Sequence, residues 1–329
     1  MRDVADLAGV SAQTVSRVLS DHPNVQPATR NAVKEAAQSL GYRRNATARA
    51  LVTGRSNMLG VITLSTSSYS RMTLIVGIER EAAARGYSVT FVSITNLSAR
   101  SLEEGLSRLV AQGVDGIITA VPLQDSTVEV DNLLSEVPSV AIDPPRKSEA
   151  DSTSFDQEQA AKIAVEHLIE LGHQNIWHVA GPKDWIESDT RISGWRGALE
   201  SAGLPVPPEL YGDWSADSGY RAGLILGRVP EVSAVFVASD EMAFGLIKAV
   251  TELGRKVPED ISVVGIDDIE LAAFCSPPLT TIRQPLEEIG RQAVRHLAAA
   301  LTGADDANAS TSDRVNIPEL IMRSSTAAH

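Results

Sequence analysis

One cysteine, Cys275, stands in a chain of 329 residues. An internal disulfide is therefore impossible, and such sparing cysteine use fits a reducing cytoplasm. No apolar run is long enough to span a membrane. The first residues show no basic-then-apolar leader, so secretion is not expected. Also missing are a Gly-x-Ser-x-Gly elbow, a phosphate-cradling Gly-x-x-x-x-Gly-Lys loop and any metal-spaced histidine cluster; the six histidines are scattered. Neither a metal nor a cofactor is expected. There is no internal repeat. Basic residues are outnumbered, with 29 Lys and Arg against 42 Asp and Glu, a net charge of −13.

That charge is unevenly spread. Residues 1–56 carry eight Lys or Arg and four acids, which leaves +4 there and −17 on the rest. A small basic head on an acidic body suits local phosphate binding. An apolar fraction of 43% is that of a globular protein, and 329 residues suffice for two or three domains.

The head begins Asp3-Val-Ala-Asp-Leu-Ala-Gly-Val-Ser-Ala-Gln-Thr-Val-Ser-Arg-Val-Leu-Ser20. Val4, Leu7 and Ala8 repeat at helical spacing until Gly9 breaks the pattern. Ser11 can cap a second helix, whose inward face is Val15, Val18 and Leu19. Its outward face carries Ala12, Gln13, Ser16 and Arg17, short or hydrogen-bonding side chains suited to a major groove. A third helix starts at Pro27, takes Ala28, Val33, Ala36, Ala37 and Leu40 inward, and ends at Gly41. The segment Tyr42-Arg-Arg-Asn-Ala-Thr-Ala-Arg-Ala-Leu-Val-Thr-Gly54 has helical propensity but is short enough to be marginal alone.

From 57 onward, apolar strands alternate with amphipathic helices. Strands are expected at 59–64, 88–94, 116–119, 139–142, 175–180, 234–238, 262–266 and 279–282. Helices are expected at 72–85, 102–112, 157–171, 191–202, 218–226, 242–253 and 286–301. This alternation predicts doubly wound parallel sheets, too many strands for one sheet and hence two lobes. A polar run at 303–313 reads as a loop.

The opening stretch closely resembles the helix-turn-helix of the lactose-repressor (LacI/GalR) family of bacterial transcription regulators. Further segments carry the resemblance along the chain: Glu166-His-Leu-Ile-Glu-Leu-Gly-His173, Gly212-Asp-Trp-Ser-Ala-Asp-Ser-Gly219, Val237-Ala-Ser-Asp-Glu-Met-Ala243, Asp260-Ile-Ser-Val-Val-Gly-Ile-Asp-Asp268 and Pro277-Pro-Leu-Thr-Thr-Ile-Arg-Gln284. The resemblance implies a three-helix headpiece at 1–44, a hinge helix at 45–56, and a periplasmic-binding-protein-like core at 57–329. Lobe one would comprise 57–156 and 286–322, and lobe two 157–285, with three crossings between them. It also implies a sugar-responsive repressor of carbohydrate-utilisation genes that binds a palindromic operator in double-stranded DNA. Family members carry a few residues before the segment that begins here at Arg2, so part of the first phosphate contact is expected to be missing.

The expected DNA contacts are Val4, Ser11, Ala12, Gln13, Thr14, Ser16, Arg17 and Asn24 in the headpiece. In the hinge they are Asn45, Ala48, Arg49 and Leu51, with Leu51 at the family's wedge position, where a leucine parts two base pairs in the minor groove. Arg44 replaces the usual proline before Asn45, which makes the hinge looser. The expected effector contacts are Asp143, Phe155, Arg191, Trp214, Ser239, Asp267 and Gln284. A carboxylate accepts from two neighbouring hydroxyls, an arginine fork reaches ring oxygens, and an indole face stacks on a pyranose. Asp240 and Asp268 read as structural instead. Ser239, Leu64 and Ala120 stand where a family member has other polar residues, so the hydroxyl readout differs; the sugar expected is galactoside- or glucoside-like. The chain end lacks the apolar heptads of tetramer-forming members, so a homodimer is expected. Alternatives are a purine- or co-repressor-dependent family member, a plain sugar-binding protein, and a sugar-processing enzyme in which Asp143 and Asp267 would pair as glycosidase carboxylates.

Overall fold

The structure, a computed structural model, describes residues 1–19, 22–42, 54–65, 69–121, 127–142, 152–153, 155–183, 185–303 and 318–329. Its contacts divide the chain into two units, Met1–Ser56 and Asn57–His329.

The first unit holds three helices, α1 (Arg2–Ala8), α2 (Ala12–Leu19) and α3 (Pro27–Ser39). Gly9 closes α1 at φ 64°, a left-handed conformation that glycine adopts without a Cβ penalty. Pro27 opens α3 at a position that has no helical partner for an N–H. Val4, Ala5, Val15, Val18, Val33, Ala36 and Ala37 make the core. Ala28 and Leu40, expected on the inner face of α3, are exposed. They sit near the ends of a 13-residue helix whose partners have only seven and eight residues, too short to cover them.

The second unit alternates strand and helix: β1 (Met58–Leu64), α4 (Tyr69–Ala84), β2 (Ser88–Ile94), α5 (Ala99–Ala111), β3 (Gly116–Ala120), α6 (Val128–Ser135), β4 (Ser139–Ile142) and β5 (Ser152–Thr153). It continues with α7 (Gln157–Glu170), β6 (Ile176–Ala180), α8 (Ile186–Ser201), β7 (Leu210–Tyr211), α9 (Ala216–Leu226), β8 (Ala234–Val237), α10 (Asp240–Glu252), β9 (Ser262–Asp267), β10 (Thr280–Arg283), α11 (Leu286–Thr302) and β11 (Glu319–Ile321). The strands form two sheets. One is parallel throughout, in the order β2-β1-β3-β4-β5; the other runs β11-β10-β9-β8-β6-β7. Central strands are apolar on both faces, as helices on both sides of a parallel sheet require; all six residues of β9 are buried.

Against the expected placement of 286–322 in the first lobe, β11 pairs antiparallel with β10 in the second sheet. Side chains of the chain end explain why. Ser325 Oγ donates to the Val263 carbonyl and accepts from Thr280 N–H at 2.8 Å. Arg323 pairs with Asp268 at 2.5 Å, and His329 N–H donates to the Leu171 carbonyl. Among the described residues of 286–322, α11 returns to the first lobe. It packs on α4 so closely that a Cβ at Gly77 would overlap the Glu287 carbonyl. His173 lies in the second lobe, 3.0 Å from Ser233 Oγ and 3.2 Å from the Ala327 carbonyl, and burial lowers its pKa to about 4.

Each expected strand is present with its ends within one residue, and α7 and α11 start where expected, but the other five expected helices start two to five residues earlier than their apolar periodicity shows. α4 begins three residues early and α8 five.

Candidate functional site

In the first unit, Ser11 caps α2. Its Oγ accepts from Thr14 N–H at 3.1 Å and lies 2.9 Å from Thr14 Oγ1. The pair thus holds the start of α2 rather than facing outward as two independent groups. Val15 and Val18 anchor the helix inward, leaving Ala12, Gln13 and Arg17 exposed, with Ser16 half-buried. Asn24 is exposed in the α2–α3 turn, its N–H donating to His22 Nδ1. Arg30 ties that turn to α3 by donating to the His22 carbonyl at 2.8 Å. Val4 is a correction: it is fully buried in the helical core, so its side chain cannot reach a groove. Asn45, Ala48, Arg49 and Leu51 lie outside the described residues, as does Asp143 of the core.

In the second unit, a cleft between the two sheets opens to solvent. Its polar wall is a relay of four buried side chains. Arg191 on α8 donates through Nε to Gln157 Oε1 at 2.8 Å and through Nη1 to the Ala238 carbonyl. Gln157 at the start of α7 donates to Gln284 Oε1 at 3.2 Å, and Gln284 donates to Asp267 Oδ1 at 2.5 Å. Each amide is thereby oriented, and the relay runs from a cation to an acid. Asp267 ends β9 at φ 125°, and Trp214 sits at φ 70°. Such backbone in non-glycine residues costs on the order of 1–3 kcal/mol each and clusters at ligand sites. Burial raises the Asp267 pKa to about 7, against the pull of the Arg191 charge and of hydrogen bonds from Gln284 and Ser70.

Trp214 lines the same cleft, its ring centre 5.5 Å from the Arg191 guanidinium. A Cβ at Gly181 would overlap that indole, so the glycine makes room for it. Ser239 is also in the lining, but its hydroxyl caps α10 by accepting from Met242 N–H at 3.2 Å. Phe155 is packed in the apolar core with Ile142 and Ala160 and is not part of the lining. Asp240 is held by Thr281 Oγ1 at 2.6 Å and Ile269 N–H at 3.0 Å, and Asp268 by Arg283 and Arg323. Both acids are structural, as expected.

Five polar or aromatic lining residues carry no signal in the sequence that marks them for the site: Ser70, Arg71, Gln157, Trp185 and Glu187. Four of them sit in or just before the first turn of α4 or α8, and the fifth opens α7. Those turns are polar and break the apolar period, so periodicity alone begins the first two helices too late.

Comparison with known proteins gives a consistent picture. A family model described as bacterial regulatory proteins, lacI family, matches residues 1–45, and one for a periplasmic binding protein-like domain matches 165–326. The lactose operon repressor of Escherichia coli (strain K12) is 36% identical over 299 residues, covering 90% of this chain and 82% of that protein. A crystal structure of the Lac repressor dimer bound to operator and the anti-inducer ONPF superimposes with a TM-score of 0.89 at 33% identity, over 99% of this chain and 98% of the other. The transcriptional regulator CelR in complex with cellobiose superimposes with a TM-score of 0.72 at 31% identity, over 98% of each chain. With its helix-turn-helix head and two-lobed core, the chain belongs to the lacI family of bacterial regulatory proteins.

Proposed function

We propose that this regulator is a homodimeric, sugar-responsive repressor of carbohydrate-utilisation genes, working in the cytoplasm without turning its ligand over. The observation that carries the sugar reading is the Arg191–Gln157–Gln284–Asp267 relay beside Trp214, a set of oriented donors and acceptors next to a flat apolar face. Hydroxyl groups need that alternation, and a pyranose needs the flat face. Relatives point the same way, one of them having been solved with cellobiose. Effector contacts would come from Arg191, Asp267, Gln284 and Trp214, with Asp143 as an expected further contact and Ser239 and Phe155 supporting the wall.

In the head, Ala12, Gln13, Ser16 and Arg17 would read base edges, with Ser11, Thr14 and Asn24 positioning the backbone. Asn45, Ala48, Arg49 and Leu51 would act in a hinge at 45–56. Effector binding shifts the lobes relative to one another, and the shift is passed to the hinge. Such coupling is typically about 1–3 kcal/mol. Exposed apolar side chains on the core suit a dimer: Met72, Val76 and Phe91 on the first lobe, Leu271, Phe274 and Met322 on the second. A stable tetramer in sedimentation would contradict the dimer.

Selection from a random DNA pool tests the function directly. A palindrome with a fixed centre is the expected result; motif-free binding that vanishes with salt would leave only phosphate attraction. Against the recovered operator, Arg17→Ala is expected to lose about 1–3 kcal/mol of affinity and to relax base preference at one position of each half-site, read by gel shift on point-substituted sites. A uniform loss across all sequences would make Arg17 a phosphate contact instead.

A further inference from the structure

Three polar atoms beside the cleft are buried without a hydrogen-bond partner: Glu187 Oε2, Ser188 Oγ and Trp214 Nε1. Buried polar groups are ordinarily satisfied, so orphans at a cavity wall mark where a ligand or water supplies the partner. Glu187 is held from one side only. Its Oε1 lies 3.3 Å from Arg71 Nη2, and Arg71 reaches across from the first lobe, where its Nη1 donates to the Ala120 carbonyl at 2.9 Å. The Arg71 guanidinium also lies 4.9 Å from the Trp185 ring centre, and Trp185 meets Trp214 edge-on at 62°. The two indoles therefore form a corner rather than one continuous shelf.

Glu187 stands four residues before Arg191 on α8, so the two share one helix face about 6 Å apart along the axis. That rise is comparable with the length of one pyranose ring. We propose that the cleft contains a second effector subsite, formed by Glu187, Arg71, Trp185 and the Trp214 Nε1 edge, which takes the second ring of a neutral disaccharide. The inference rests on the sugar reading above. Glu187 accepts from hydroxyls of that ring through its unpartnered oxygen, Trp214 Nε1 donates to a ring or linking oxygen, and Trp185 packs against the ring's apolar face. Arg71 already faces Glu187. A neutral ligand leaves that pair balanced, whereas a sugar phosphate or uronate would add a negative charge beside Glu187. Because Arg71 belongs to the first lobe and Glu187 and Trp185 to the second, the outer ring touches both lobes at once.

Calorimetry on the full chain tests the proposal, using cellobiose, lactose, maltose and melibiose beside glucose and galactose, with hypoxanthine as a purine control. At least one disaccharide is expected to bind ten-fold or more tightly than either monosaccharide. Glu187→Gln is expected to narrow that ratio to below two-fold. Trp185→Leu provides a second variant should Glu187→Gln fold poorly, and the same narrowing is expected. Equal binding of one ring and two, or a ratio unmoved in both variants, overturns the subsite while leaving the sugar reading intact. If none of the sugars binds and hypoxanthine does, the sugar reading falls and the subsite with it.

Discussion

Asp267→Asn is expected to uncouple the repressor from its effector while leaving operator binding in place. Asparagine matches aspartate in size, so the end of β9 keeps its shape and the positive φ is tolerated as before. What disappears is the carboxylate beside Arg191 and Gln284. Hydrogen bonds to a charged group are worth about 1.5–3 kcal/mol, which corresponds to roughly 10- to 150-fold in sugar affinity. Calorimetry gives the affinity, and gel shift with and without sugar gives the uncoupling. Wild-type-like induction would remove Asp267 from the effector site.

The same residue gives binding a pH signature. With its pKa raised to about 7, Asp267 is mostly protonated at pH 6 and mostly ionised at pH 8. A ligand that requires the carboxylate therefore binds more tightly as pH rises through 7, by up to about ten-fold, and Asp267→Asn flattens that slope. Stability of the unliganded core moves in the opposite sense. The folded pKa lies above the ordinary aspartate value of 3.8, so this group's contribution is present below that value and is lost as pH rises toward 7. Asp240, also raised by burial, acts with the same sign, so the Asp267 share is the difference between the melts of wild type and Asp267→Asn at pH 5 and pH 8.

Gly245→Ala is expected to give the largest loss of stability in the core. α9 and α10 meet backbone to backbone: a Cβ on Gly245 would overlap the Ala216 carbonyl oxygen and lie 2.7 Å from Tyr220 N, and a Cβ on Gly219 would overlap the Met242 carbonyl. No flexible side-chain tip can swing away, so the helices themselves must part. Alanine is favoured over glycine in a helix by about 1 kcal/mol, but overpacking of this kind commonly costs 1–3 kcal/mol and here lies at or beyond the upper end. A net loss of about 2–3 kcal/mol lowers Tm by about 5–10 °C in calorimetry. Gly197→Ala on α8 is the control, because a Cβ there meets nothing within 4 Å. Its expected effect is neutral to slightly stabilising. Equal Tm shifts in the two variants would refute the close-packing argument.

Much of this was legible in the order of residues. Strand positions followed from apolar runs, because a parallel strand covered on both faces must be apolar along its whole length. The turn after α1 followed from Gly9, and the α2 cap from Ser11, because caps and left-handed turns are local events. Arg191, Asp267, Gln284 and Trp214, all in the cleft lining, stand out in the sequence because they sit at strand ends or in family-like segments. Other features needed the tertiary structure. Val4 has the same helical spacing whether it faces a groove or a core, and only the packing of α3 against α1 places it inside. β11 went to the second sheet because Ser325, Arg323 and His329 find their partners there, more than forty residues away in sequence for the first two and more than one hundred and fifty for the third. Arg71 and Glu187 are 116 residues apart, and neither sits in a periodic or motif-like setting. Periodicity and capping are properties of neighbouring residues, so the chain's order determined the elements. The meeting of Arg71, Glu187 and Trp185 depends on how two lobes close over one cleft, and only the folded chain decides it.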